Sequence, residues 1–148
     1  MTPRTFLVIA ITLAASASRA SDELIISDAW VRATPPGKMI TAGYASIENQ
    51  SKEAIIITGV SAEIAGHTSL HETQIERDRS TMRPVAVLSI KAGERVSLKP
   101  GGLHIMLMKL SESLSDGQSI DICLELENND SLCSAFSVAR HGKAAHQH

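Results

Sequence analysis

The sequence predicts an all-β protein, folded as an antiparallel β-sandwich or barrel, and three observations support this prediction. Short runs rich in β-branched residues recur along the chain, turn-forming residues separate them, and no segment has a sustained helical period. Strands that follow one another at spacings of roughly 8 to 12 residues are typical of sandwiches and barrels. We therefore expect a domain built from β-sheet.

The individual strands follow from these runs in order. We predict strands at residues 23–33, 42–49, 53–60, 68–73, 82–90, 95–100, 103–110, 119–126 and 132–139. Turn-forming residues separate several of these strands, namely TPPG at 34–37, NQSK at 49–52, KAGE at 91–94, KPGG at 99–102 and SDGQ at 115–118.

Residues 1–20 have the pattern of a secretory signal peptide. Arg4 precedes an apolar stretch from Phe6 to about Ala15, and small residues follow at Ser18 and Ala20. The apolar stretch is shorter than the ~20 residues that span a bilayer. We predict export to the periplasm and cleavage after Ala20, with the small residues at 15–17 as an alternative site. We expect no membrane span in the mature chain.

The length and charge of the chain limit its domain organisation and its possible partners. Removing residues 1–20 from the 148 of the full chain leaves a length that suits a single domain, which we place at residues 21–139. Sixteen acidic and fourteen basic residues give a net charge of −2, and the loss of Arg4 and Arg19 changes it to −4. This acidity argues against nucleic acid as a partner. We expect a monomer.

The two cysteines flank a predicted hairpin turn, Glu-Asn-Asn-Asp at residues 127–130. If the loop is three residues long and centred on Asn128, Cys123 faces Cys133 across the hairpin. A disulfide is then plausible in an oxidising compartment. A shift of one residue in register would instead leave two buried free thiols, and the sequence leaves both alternatives open.

The stretch GGLHIMLMKL at 101–110, which includes the predicted strand 103–110, has an imidazole in an apolar run. Side chains alternate between the two faces of a strand, so Leu103, Ile105 and Leu107 should face the core. The opposite face then carries His104, Met106 and Met108 at successive positions about 7 Å apart. Taken alone, this pattern is more typical of a second apolar layer, because methionine is a common core filler.

A second histidine and methionine lie upstream, in LHETQIERDRSTMRPV. Ten residues separate His71 from Met82, which is a hairpin length, and a further 21 residues lead to His104. His71, Met82, His104 and Met106 can therefore meet at one end of a sandwich. Two imidazoles and two thioethers form a coherent ligand set for Cu(I), because thioether sulfur is a soft donor.

These residues resemble the periplasmic copper chaperones of the PCu(A)C type. The four residues match the family's H-x10-M-x21-H-x-M signature, and the flanking stretches SDAWVRATPPG, GYASIEN, LHET, MRPV and LKPGGLHIMLM are similar as well. The resemblance runs over most of residues 23–139.

The resemblance implies a cupredoxin-like β-sandwich, with a Greek key topology, that binds one Cu(I) near its surface. It implies metal ligands at His71, Met82, His104 and Met106. It also implies delivery of copper to the binuclear copper centre of cytochrome c oxidase subunit II, directly or with Sco-type thiol proteins. Met108 is not part of the signature, and we expect it to serve in packing.

Other activities fit the sequence less well. Blue-copper electron carriers need a cysteine thiolate ligand, and both cysteines lie in a different hairpin. The chain has no G-x-S-x-G nucleophile motif, so we predict that it is not an enzyme. A periplasmic copper-buffering or resistance protein without a dedicated recipient is the alternative function, and a copper-dependent reductase is a more distant one.

The remaining candidate residues lie outside the signature. We expect Trp30 and Tyr44 to pack in the core and His67 to be a surface residue. We expect residues 140–148 to form a flexible tail, in which His141, His146 and His148 are candidates for a secondary Cu(II) site, since imidazole suits Cu(II). Related tails often carry methionine as well, and this one has none.

Overall fold

A computed structural model describes residues 23–142 of the chain. The predicted signal peptide and the tail residues His146 and His148 lie outside the described residues. No helix occurs in residues 23–142, so this part of the chain has no helical segment that could cross a membrane.

Ten strands make up the described chain. They are β1 (Leu24–Arg32), β2 (Ile40–Asn49), β3 (Ile55–Ser61), β4 (Ala65–Glu76), β5 (Arg79–Val85), β6 (Leu88–Ile90), β7 (Arg95–Leu98), β8 (Leu103–Leu110), β9 (Ser119–Leu126) and β10 (Ser131–Ala139). The predicted strand at 82–90 is divided into β5 and β6, and β4 extends beyond the predicted 68–73 at both ends.

The strands join in the order β5-β4-β8-β2-β1-β10-β9-β3-β6, and β7 pairs with the second half of β2. All pairs are antiparallel except β1 with β10, which run parallel. This parallel pair has no signal in the sequence, since it joins strands from opposite ends of the described chain.

The two halves of this sheet enclose one hydrophobic core. A Cβ atom placed on Gly43 of β2 would lie 3.5 Å from side-chain atoms of Leu107 in β8 and of Ile122 in β9, so the halves are in contact there. Ile105 and Leu107 are fully buried, as the alternation in β8 predicts. The predicted all-β sandwich is confirmed.

None of the described methionines belongs to this core. Met39, Met82, Met106 and Met108 are absent from the buried cluster and from the partly buried residues packed against it. The reading of β8 as a strand with a methionine-padded second core layer is therefore not supported.

The hairpin of β9 and β10 has the register that aligns its cysteines. Cys123 pairs directly with Cys133, and the two form a disulfide. The three-residue loop ends at Asn129, whose φ of 64° lies in the left-handed region that asparagine tolerates. Both cysteines of the sequence therefore belong to this disulfide, and neither is a thiolate that could bind a metal.

Candidate metal centre

The pairing of β4 with β8 brings the two predicted histidine ligands together. His71 lies directly opposite His104, and their ring centroids are 6.2 Å apart. Directly opposed residues share a face of the sheet, with Cβ atoms about 4.5–5.5 Å apart. Two residues that are 33 positions apart in sequence therefore form one imidazole pair.

The two methionines lie diagonally on either side of this pair. Met106 is opposite Ser69, two residues before His71, and Met82 is opposite Thr73, two residues after it. Diagonal neighbours are about 7–8 Å apart, within reach of a long side chain. His71 is thus the common neighbour of His104, Met106 and Met82, which all occupy one sheet face.

A tight turn sets the position of Met82. Arg77 and Asp78 form the two-residue connection between β4 and β5, and both have positive φ, of 47° and 64°. Two consecutive residues of this kind are the signature of a type I′ turn, whose twist matches that of a hairpin. The predicted hairpin between His71 and Met82 is present, with a shorter loop than the sequence indicated.

Exposure differs sharply among the four residues. His104 is only 3% exposed, whereas Met82, on the edge strand β5, is 58% exposed. His71 and Met106 are half-buried. The site is therefore closed on the side of His104 and open to solvent on the side of Met82.

The ring of His104 is held by the backbone. Its Nδ1 atom lies 2.8 Å from the carbonyl oxygen of Gly102, which also accepts a hydrogen bond from the backbone N–H of Thr73. A carbonyl can only accept, so Nδ1 carries the proton and Nε2 has a free lone pair. Metal-binding histidines are commonly oriented in this way by a partner on the second ring nitrogen.

The ring of His71 has an unsatisfied nitrogen. Nε2 lies 3.0 Å from the hydroxyl of Ser69, while the buried Nδ1 has no hydrogen-bond partner. When Nε2 donates its proton to Ser69, Nδ1 keeps a free lone pair. A buried polar atom without a partner is costly, and a bound metal ion would relieve that cost.

The surroundings of His71 disfavour its protonated form. Burial lowers its pKa below the ordinary value, and the neighbouring His104 and His67 lower it further. A neutral imidazole is the form that binds metal, since a protonated ring has no lone pair to donate. The lowered pKa therefore favours the form of His71 that a metal ligand requires.

The donor set depends on sulfur. Residues 23–142 contain no group of three or more histidine, cysteine or acidic side chains arranged to hold a metal. Met82 and Met106 are the candidates to complete a four-donor set with the two histidines. Neutral imidazole and thioether donors suit Cu(I), whereas zinc sites draw on thiolate, imidazole and carboxylate.

Two aromatic residues border the site. A register shift between Ser27 and Trp30, with Asp28 at a φ of 51°, places Trp30 opposite Tyr44. The centroids of these rings are 4.6 Å apart, and the Tyr44 ring lies 6.5 Å from that of His104. Tyr44 is buried as expected, but beside a candidate ligand. Sequence reasoning missed this neighbourhood because a β-bulge has no reliable sequence signal here.

Residues outside the signature also lie on this face. His67 is exposed, as predicted, and is opposite Met108. Met108 is half-buried and lies outside the core cluster. Of the predicted tail ligands, only the exposed His141 falls in the described residues.

Comparison with known proteins places these features in a family. The family model "Putative lipoprotein LpqE-like" matches residues 24–138. "Putative lipoprotein Lxx21020" from Leifsonia xyli subsp. xyli is 33% identical over 133 residues, which are 87% of this chain and 79% of the relative.

Solved structures share the fold. The solution structure of CuI-DR1885 from Deinococcus radiodurans is 28% identical, with a TM-score of 0.61, and the match covers 79% of this chain and 78% of that one. The copper-bound PCuAC domain from PmoF2 is 18% identical, with a TM-score of 0.67, and the match covers 80% and 94% of the two chains. The chain belongs to the LpqE-like family, of the PCu(A)C type, as the resemblance in its sequence indicated.

Proposed function

We propose that this protein is a periplasmic copper chaperone that binds one Cu(I) through His71, Met82, His104 and Met106 and passes it to a recipient protein. One observation carries the proposal. The β4–β8 register sets the two histidines opposite each other, with a methionine diagonal to His71 on each neighbouring strand.

The chemistry of the donors supports copper in its reduced state. Imidazole and thioether are neutral, and thioether favours the soft Cu(I) ion. A thioether also has no acidic proton and forms no disulfide, so it remains a ligand where a thiol would be oxidised. The relative from Deinococcus radiodurans is described with Cu(I) bound, and the domain from PmoF2 with copper bound.

The unequal exposure of the proposed ligands supports transfer of copper to another protein over permanent storage. His104 is buried and held by the Gly102 carbonyl, so it would remain bound longest. Met82 lies on the edge strand β5 and is largely exposed. A ligand from the recipient can therefore displace Met82 first, and release proceeds by stepwise exchange of ligands.

The recipient that we propose is cytochrome c oxidase subunit II, whose binuclear copper centre would receive the ion directly or with a Sco-type protein. The signal-peptide pattern at residues 1–20 and the lipoprotein names of the family and its relative support export. We propose no catalytic role, because the site's chemistry is accounted for by binding and exchange.

Anaerobic titration of Cu(I) against a competing chelator tests binding. We expect one tight equivalent in the mature wild-type protein and a much weaker one in His104→Ala. Met39→Ile is a matched control, since Met39 is an exposed methionine outside the site. Equal affinity in wild type and His104→Ala would refute the proposed ligand set.

Mixing the Cu(I)-loaded protein with the apo copper domain of oxidase subunit II tests delivery. Transfer would support the chaperone function. Retention of copper by a protein that binds it tightly would favour the alternative, a copper-buffering protein without a dedicated recipient.

A further inference from the structure

A second pair of soft donors lies on the same sheet face as the proposed copper ligands. His67 of β4 is directly opposite Met108 of β8, in the register that also pairs His71 with His104. Between the two pairs lies one further pair, Ser69 with Met106. The face therefore presents an imidazole and a thioether beyond the four proposed ligands.

Met108 has no role in the core. It lies outside the buried cluster, and its neighbour on β2 is Ile40, whose side chain is 49% exposed. Lys109 follows with a φ of 53°, and the next residue, Leu110, is buried in the core. The outward face of β8 thus ends at Met108, where a thioether is half-exposed beside an exposed histidine.

We propose that His67 and Met108 form an accessory two-ligand site for a soft monovalent cation, from which the ion moves to the main site through Met106. One imidazole and one thioether suit the low coordination numbers that soft monovalent ions accept. This inference rests on the proposed function, because the main site must exist for the accessory site to feed it.

Geometry supports a passage between the two sites. Successive residues on one face of a strand are about 7 Å apart, so Met106 is one such step from His104 and one from Met108. Methionine has three rotatable side-chain bonds, so neighbouring sulfurs can approach one another. Met106 can therefore exchange the ion between the two sites without movement of the backbone.

The difference in burial gives the two sites different affinities. The main site has four donors and includes the buried His104, whereas the accessory site has two donors, of which His67 is exposed. Fewer donors and greater solvent access favour weaker binding and faster exchange. The main site should therefore fill first at equilibrium, and the accessory site second.

Titration with Ag(I), a redox-inert probe for Cu(I), tests the assignment in the mature wild-type chain carrying ¹³C-methyl methionine. The first equivalent should shift the methyl signals of Met82 and Met106. The second should shift Met108 and the ring signals of His67, while Met39 remains unchanged. A Met108 signal that moves only together with Met39, or one that moves fully with the first equivalent, would overturn the accessory site.

Matched variants extend this test. Met108→Ile and His67→Gln should each weaken the second binding event by about tenfold or more, which corresponds to ~1.4 kcal/mol, and leave the first unchanged. Met39→Ile and His141→Gln are the controls and should alter neither event. An unchanged second event in both variants would overturn the proposal.

A variant of the main site separates the two hypotheses. In His104→Ala, Ag(I) should still shift Met108 and His67, with the main-site shifts weakened. If the first equivalent fails to shift Met82 and Met106 in the wild type, the proposed function fails. If those shifts occur and Met108 never responds, only the accessory site fails.

Discussion

At the scale of single residues, the two histidines of the site differ in what their ring nitrogens contact. His104 is fixed by the carbonyl of Gly102, whereas His71 has a buried nitrogen without a partner. The first histidine is therefore already oriented by the protein, and the second would gain a partner if the proposed copper ion binds.

The lowered pKa of His71 should protect copper binding in mild acid. Burial is the first cause of the lowering, followed by His104 and His67. Proton competition at His71 should therefore begin only below the ordinary histidine pKa of about 6.5. The same shift means that the contribution of His71 to folding stability is present above that pH and is lost as the pH falls through the folded-state pKa.

An NMR titration of the apo protein checks this expectation. The ring signals of His71 should have a midpoint below about 6.5, the value for an unperturbed histidine. A midpoint at or above that value would contradict the effect of burial at this position.

Replacing Met106 by isoleucine should separate ligand chemistry from packing. The volumes are similar and Met106 lies outside the core, so the apo protein should lose less than about 1.5 kcal/mol of stability. Loss of the thioether should weaken Cu(I) binding by about tenfold or more. Thermal melting and chelator competition measure the two effects. A large loss of apo stability would instead assign Met106 to packing.

Some of this residue-level detail was predictable and some was not. Alternation along 103–110 correctly placed Ile105 and Leu107 in the core and His104 on the other face. The hydrogen bond from His104 to Gly102 and the unpartnered nitrogen of His71 were not predictable. The first depends on where the turn at 99–102 places the Gly102 carbonyl oxygen, and the second on which groups surround His71 in the folded sheet. Hydrophobic periodicity reports neither.

At the scale of elements, the β4–β5 hairpin determines whether Met82 reaches the site. Its register gives Met82 the diagonal position beside His71, and a shift of one residue would turn Met82 to the opposite face. The sequence indicated the hairpin. It did not indicate that the turn has only two residues, because Arg77 and Asp78 are not the residues that a type I′ turn prefers.

Introducing the preferred turn residues should stabilise this hairpin. Arg77 and Asp78 both adopt positive φ, which costs an ordinary residue roughly 1–2 kcal/mol. The double variant Arg77→Asn, Asp78→Gly should gain about 1 kcal/mol and raise the melting temperature by roughly 3–6 °C. Calorimetry of the apo protein measures the change, and a lower melting temperature would contradict the assigned turn.

At the scale of the whole molecule, the site and the disulfide lie in different parts of the sheet. The proposed ligands belong to β4, β5 and β8, whereas Cys123 and Cys133 join β9 to β10. The sequence could predict an all-β sandwich from its short strands and turns. It could not predict the parallel pairing of β1 with β10, because such long-range pairing depends on how the whole chain folds.

Removing the disulfide should therefore affect stability and leave copper binding unchanged. The bond closes a loop with a sequence separation of 10 residues, for which chain entropy predicts a contribution of about 2–3 kcal/mol. The double variant Cys123→Ala, Cys133→Ala should unfold at lower denaturant concentration and bind Cu(I) as the wild type does. A parallel loss of Cu(I) affinity at temperatures where the variant is folded would show that the two regions are coupled.

X-ray absorption of the Cu(I)-loaded mature protein tests the central claim most directly, because it reports the donors around copper. The account predicts one Cu(I) with two sulfur and two nitrogen scatterers, and loss of one sulfur in Met106→Ile. A first shell without sulfur would contradict the assignment of Met82 and Met106, and with it the proposed copper site.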